Sequence, residues 1–400
     1  MNKKIAITNS GILILFFLCI KLYAQGIEFH GRTTNSIYTY ETDKLHTRAY
    51  QFIRFELKHK SYRNICLNTS MRFLTDMNQN LSSDLRYKMY VLNLSLKKLL
   101  NNRMDLVIGR QFLHPGTVLG GLDGVFTKFT VSKHISLNLY GGVESHLLRS
   151  MKIYKTNDAL TIGGLFQIQK IFSSKLQLLY LQKNSNNGAY WQIAGINFEN
   201  RILPHIQFTI QSHYDLINSR FHRLLFSAKY YLARKMFFSL GYKSQYPQVY
   251  SNSFFTIFEP EAYRQYKLSC SYKILKDYFV SGQFQFIKFD TETANRLFLT
   301  LYNNNGSIGC ILESGYAGSQ LGVMFDYLYE LTPDLIASVN VDYSRYRLEK
   351  VYQFENQVSN AARLTYKFNR MLQFVLEYQW LTNRYKKQDS RLLNHIHFSW

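Results

Sequence analysis

The chain has 400 residues, a net charge of +22, 46% hydrophobic residues, 16% aromatic residues and only 18% charged residues. That aromatic content excludes a disordered chain, and a mean hydropathy of −0.21 excludes a bundle of membrane helices. What remains is a large β protein, rich in Tyr and in short polar residues.

Residues 1–24 read as a secretory leader. Lys3 and Lys4 form its basic start, and Ile12 to Ile20 is an apolar run too short to span a bilayer as a helix. Ala24 marks the cleavage point, and Leu18 before Cys19 argues against a lipoprotein site. Loss of Lys3, Lys4 and Lys21 with the leader lowers the net charge from +22 to +19. The first strand begins near Ile27 with no plug domain before it, which argues against an energy-coupled, plugged transporter. The remaining cysteines, Cys66, Cys270 and Cys310, are odd in number and widely spaced. They support neither a disulfide framework nor a zinc site, and read as small apolar fillers on strands.

From there to the last residue the dominant pattern has period two. Ile206, Phe208, Ile210 and Tyr214 share one face; Gln207, Thr209, Gln211 and His213 share the other. Tyr266, Leu268, Cys270 and Tyr272 oppose Gln265, Lys267, Ser269 and Ser271. Leu335, Ala337, Val339, Val341 and Tyr343 oppose Ile336, Ser338, Asn340 and Asp342. Leu372, Phe374, Leu376, Tyr378 and Trp380 oppose Gln373, Val375, Glu377 and Gln379. The connections alternate in type. Tight polar ones, such as Phe172 to Lys175, Thr332 to Asp334 and Phe368 to Arg370, alternate with a mostly longer set. The longer set includes Thr75 to Asp84, His114 to Gly121, Ser145 to Asn157, Pro247 to Glu261, Ser344 to Gln353 and Thr382 to Ser390.

Short turns on one side and long loops on the other predict an all-β, transmembrane, antiparallel up-and-down β-barrel. It forms one domain over residues 25–400 in the outer membrane of a Gram-negative-type bacterium. The strand number is about 22 if Asn303 to Gly306 is a tight turn, and about 20 if residues 295–317 are irregular. A soluble sandwich, propeller or jelly roll is the alternative for this much alternation. The terminal segment, in which Leu392, Asn394, Ile396, Phe398 and Trp400 alternate with Leu393, His395, His397 and Ser399, favours the membrane. It resembles the closing strand by which outer-membrane barrels are recognised during assembly, so the assembly machinery is an expected partner through Trp400.

Apolar faces must then meet lipid, because a charge at mid-bilayer on that face costs roughly 2–4 kcal/mol. The opposite phase lines the interior and carries Arg54, Glu56, Lys58, Lys97, Lys128, Arg223, Lys229, Lys267, Lys273, Arg363, Lys367 and Glu377. Ten of these twelve are basic, a bias that favours anions. Arg54, Arg223, Lys229, Lys267 and Arg363 are the candidate pore-lining charges. Structural pairing with Glu56, Glu377 and Asp326 is the competing use. Lys58, Lys97, Lys273 and Lys367 fall near the turns, where they can simply hydrate the rim. The many tyrosines, among them Tyr38, Tyr40, Tyr87, Tyr90, Tyr230, Tyr231, Tyr327, Tyr329, Tyr343 and Tyr346, read first as the interfacial girdle and second as a stacking track for sugars.

The least generic stretch runs from Leu106 to Val125, with Gly109-Arg110-Gln111 ending one strand and Asp123-Gly124-Val125 in the next. It resembles the strand–loop–strand pattern of porin-like and alginate-export-like outer-membrane barrels. The resemblance implies passage of a small or polysaccharide-like anionic solute, with Arg110 near the constriction or outer mouth. The residues alone equally allow a loop-root salt bridge between Arg110 and Asp123. Either His114 to Gly121 or Pro247 to Glu261 could fold inward.

No catalytic residue, metal site or cofactor is expected. His397 and Ser399 share a face, as in outer-membrane phospholipases, but sit near the inner end of the last strand without the fuller motif. His395 and His397 alone are a weak metal pair. The basic excess is spread over alternate positions, so nucleic acid is not an expected partner; outer-membrane lipid and lipopolysaccharide are. A homo-oligomer or an envelope protein partner remains open. The leading function is a passive, anion-preferring channel or exporter. The alternatives are a non-conducting structural barrel of a secretion or surface-assembly system, and then a hydrolase.

Overall fold

In the computed structural model, residues 26–400 are described, apart from 42–43, 63, 114–115, 117–119, 147–149, 233–234, 247–260, 317, 350–351 and 385–387. The leader read over residues 1–24 lies outside the described residues, as does most of Pro247 to Glu261. The first arc of wall is β1 (Ile27–Glu41), β2 (Leu45–His59), β3 (Ile65–Asp76), β4 (Tyr87–Lys98), β5 (Met104–Leu113), β6 (Gly120–Thr130) and β7 (Ile135–Glu144). The second is β8 (Leu160–Ile171), β9 (Ser174–Ser185), β10 (Gly188–Leu203), β11 (Ile206–Asp215), β12 (Arg220–Leu232), β13 (Met236–Gln245) and β14 (Tyr263–Lys273). The third is β15 (Phe279–Lys288), β16 (Thr293–Tyr302), β17 (Gly306–Gly315), β18 (Gly318–Thr332), β19 (Leu335–Arg347), β20 (Glu355–Lys367), β21 (Leu372–Thr382) and β22 (Asp389–Ser399).

Each strand pairs antiparallel with its sequence neighbours, and β22 returns to β1 through registers from Arg32 opposite Ser399 to Thr39 opposite Leu392. The sheet therefore closes with 22 strands and no free edge. Strands about 4.8 Å apart and tilted by about 40° give a circle about 44 Å across in that number. The C-terminus makes the seam. Trp400 exchanges two backbone hydrogen bonds with Gly31, at 3.0 and 3.1 Å, and its indole stacks on Phe29 at 5.5 Å. A Cβ at position 31 would lie 2.6 Å from that indole, so a glycine belongs there.

Turn chemistry settles the strand count at the high end of the expected range. The Asn303 Oδ1 accepts the backbone N–H groups of Asn305 and Gly306 at 2.9 and 2.8 Å, closing a tight turn between β16 and β17. At the opposite end the connections are more varied than the sequence pattern implied. The span 145–159 is long, yet residues 186–187 alone join β9 to β10. Gly188 makes that possible, because its φ of +102° suits the Asn-Asn-Gly hairpin.

One phase of the wall is apolar and exposed: Leu240, Leu268, Phe284, Leu299, Leu312 and Val323 are each 40–49% accessible. These side chains are covered by no second layer among the described residues, and a closed barrel presents such a band to lipid. This is the architecture of an outer-membrane barrel. The opposite phase is continuous from strand to strand through the pairing registers, from Leu165 opposite Leu179 to Arg363 opposite Glu377. It is the lumen wall.

Candidate functional site

The site is the lumen wall, and its two sides differ. On β8 to β10 the wall carries apolar side chains inward. Leu165, Leu179, Leu181 and Ile193 form a buried cluster with Leu113, Leu122 and Tyr140. The rule that apolar phases meet lipid therefore fails on β9. There Leu178 and Tyr180 face out while Leu179 and Leu181 are 6% and 1% accessible on the lumen phase. The physical reason is a covering chain. Gly116, in the connection between β5 and β6, lies so close that a Cβ on it would be 2.9 Å from Leu179 and 3.4 Å from Leu165. At Gly116 this connection therefore runs into the lumen and lies on the inner faces of β8 and β9. Part of His114 to Gly121 thus occupies the interior.

One buried ion pair borders that filled region, and a second, Arg110 with Asp123, lies beside it on the outer phase of β5 and β6 rather than among the lumen-facing charges. Lys183 is 1% accessible, contacts Glu144 and lies 4.5 Å from the Trp191 ring centroid, while the Tyr190 hydroxyl donates to Glu144 at 3.1 Å. Arg110 is 6% accessible and grips Asp123 through both carboxylate oxygens, at 2.6 and 2.7 Å. Its remaining N–H groups donate to the carbonyls of Met89, Ser150 and Lys152 at 3.2, 2.5 and 2.9 Å. Arg110 thus ties the β7–β8 connection to the top of β4 to β6, with its charge fully engaged. The glycines of this segment let the strands beside it approach closely. Gly109, Gly124 and Gly142 sit opposite one another on β5, β6 and β7. A Cβ at Gly124 would lie 2.2 Å from the Gly141 carbonyl oxygen, and Gly109 has a φ of +118°. Only residues without side chains allow backbones so close.

The other side of the lumen is polar. Arg54, Arg223, Lys229, Lys267 and Arg363 all fall on the lumen phase by register. Their environments separate them. Arg363 donates to Glu377 at 2.7 Å, with its side chain 53% accessible and that of Glu377 only 7%. Arg54, Arg223, Lys229 and Lys267 make no ion pair among the described residues, and the Arg223 Nε has no hydrogen-bond partner. Arg32 lies directly opposite Arg54 on the same phase, so that two arginines face each other across β1 and β2. Lys243 joins the set on β13, where its Nζ donates to the Tyr263 hydroxyl at 2.7 Å. Acidic side chains gather elsewhere. The Asp326 carboxylate on β18 accepts from Asn340 at 2.5 Å and from Ser307 at 3.3 Å, with Asp342 on β19 one register step away.

The tyrosines divide between both phases. Tyr230, Tyr327, Tyr329 and Tyr343 belong to the outer phase, while Tyr38, Tyr40, Tyr231 and Tyr346 belong to the lumen phase. Tyr38 meets Tyr50 edge to face at 5.0 Å, and Arg72 lies 5.5 Å from the Tyr50 centroid, so these inner rings are already engaged. The two histidines of β22 are engaged as well. His397 Nδ1 lies 2.8 Å from the Thr34 hydroxyl, and His395 Nδ1 lies 2.8 Å from that of Ser36. Among the described residues no group of three or more His, Cys, Asp or Glu side chains converges to hold a metal.

No protein-family model matches the chain. No curated protein matches it in sequence. Among solved structures it is similar to the Pseudomonas aeruginosa protein OccK3 (OpdO), with a TM-score of 0.45 at 11% identity over 96% of this chain and 99% of that one. It is similar to P. aeruginosa OpdL, with a TM-score of 0.47 at 10% identity over 94% of this chain and 98% of that one. Acinetobacter baumannii OccAB4 gives 0.46 at 10% identity, again over 94% and 98%. The barrel assignment stands on the closed sheet and the two phases of its wall.

Proposed function

We propose that the chain is a passive channel of the outer membrane with a preference for anions. The observation that carries this reading is the set Arg54, Arg223, Lys229 and Lys267, all on the lumen phase and none in an ion pair among the described residues. An unpaired basic side chain in a water-filled passage attracts counter-ions, and several on one wall raise the local anion concentration. A circle about 44 Å across leaves room for water even after inner side chains are added. The contact of Gly116 with the inner wall narrows the passage on one side and supports a restricted rather than a wide pore.

Single-channel recording in planar bilayers tests it. Under a salt gradient the reversal potential should have the sign of anion preference, and Arg223→Glu with Lys267→Glu should move it toward the cation side. An open pore with cation preference in the unaltered chain overturns the reading. The buried cluster of Leu165, Leu179, Leu181 and Ile193 favours a second reading, a closed barrel that serves as a scaffold. The absence of any conductance, with a partner protein co-purifying in fixed ratio, would select it.

A further inference from the structure

The lipid-facing belt is interrupted on one arc. On β9 and on β11 to β19 its middle is built from Leu, Ile, Phe, Val, Tyr, Ala, Gly and Cys, for example Leu240, Leu268, Cys270, Phe284 and Leu299. On β1 and β2 the middle of the same phase mixes small and polar residues with Ile37 and Ile53. Asn35 lies opposite Gln51, Thr39 opposite Thr47, and Ile37 opposite Ala49. Asn394 on β22 joins them, because it sits opposite Ile37, diagonal to Asn35.

These amides are at membrane depth. The inner aromatic girdle is marked by Phe29, Phe55 and Trp400, with ring centroids 5.5 Å apart in both Phe29 contacts. Asn35 lies six residues along β1 from Phe29. At about 3.3 Å per residue and a tilt of about 40°, that is about 15 Å above the girdle, in an apolar band about 25 Å tall. Neither Asn35, Gln51 nor Asn394 makes a side-chain hydrogen bond among the described residues. By contrast, the outward amides near the other rim are mutually satisfied: Gln182 donates to Asn184 at 2.9 Å, and Gln192 donates to the Tyr180 hydroxyl at 2.8 Å. Hydrocarbon offers an unpaired amide no partner, so a face of this kind is costly against lipid.

We propose that the outer face of β22, β1 and β2 is the contact between two copies of this chain within the membrane. Asn and Gln side chains each carry a donor and an acceptor, so the patch is complementary to itself. Ala49 and the threonines around it are small enough to let two walls approach, the composition that membrane interfaces use. An apolar partner would leave the amides as unsatisfied as lipid does, whereas a second copy brings matching amides to the same depth.

Light scattering on the full chain in a mild detergent should give a protein mass of more than one chain. Asn35→Leu combined with Gln51→Leu should weaken association at least tenfold and return the mass to one chain at the same concentration. Slower migration in unheated gels checks that the barrel is still folded. Ala49→Trp, which adds bulk to the same face, should dissociate the oligomer independently. Asn360→Leu, on the outer phase of β20, should leave it intact. A monomeric unaltered chain overturns the proposal. So does an oligomer that survives both changes to the face, or a different protein or a glycolipid found bound there in fixed ratio.

Discussion

The wall from β5 to β11 and the wall from β12 to β17 obey the same alternation and do opposite things with their inner phase. In the first, Leu179, Leu181, Lys183 and His213 point inward and are all nearly inaccessible. Loop residues, apolar side chains and paired charges fill the space next to the wall. In the second, Lys229, Gln283 and Lys267 point inward and none of them is buried. The difference teaches that an inward position in a wide barrel has no fixed character. Its polarity follows from what the loops place against it, whereas most of the outer phase answers to lipid.

The contrast can be broken most severely at Arg110. Arg110→Ala should leave Asp123 buried without its partner and release the carbonyls of Ser150 and Lys152, a loss of about 3–5 kcal/mol by analogy with buried pairs. Limited proteolysis should then cut within 145–159 far faster, and conductance should rise if that connection restricts the pore. Leu181→Ala is the next test. A cavity in the packed cluster should cost about 2–5 kcal/mol in denaturant unfolding, while Gln283→Ala on the open side should change stability by less than about 0.5 kcal/mol. Equal effects at the two positions would erase the distinction between the arcs. The smallest effect is expected at Arg363→Ala. Its half-exposed guanidinium is screened by water, so the loss should stay within about 1 kcal/mol despite the contact with Glu377.

How much of this was legible beforehand depends on the range of the interaction. The alternation on β14, β19 and β21 carried the barrel and its inner phase directly, and Asn303 foretold the turn that fixed the number of strands. Leu178, Leu179 and Leu181 already showed that both faces of β9 are apolar. That break in pattern is the one local sign of a filled lumen. Asn35 and Gln51 were equally visible as letters, but their meaning required knowing that they share the outer phase. Arg110 was noticed through a resemblance, while its hold on Ser150 and Lys152 spans about 40 residues of chain and leaves no local mark.

By itself the sequence determined the class of fold, the strand rhythm and the phase of the wall. Lipid outside and water inside select opposite residues at every second position, and that selection is written within a few residues of each point. Only the tertiary structure decided which inner charges are spent and which stand alone. Lys183 finds Glu144 across the neighbouring β8, Arg363 finds Glu377 through one register, and Arg223 finds no ion-pair partner among the described residues. Those outcomes depend on strand register and on the path of two loops. Both are fixed by contacts between distant segments, which a pattern of period two cannot encode.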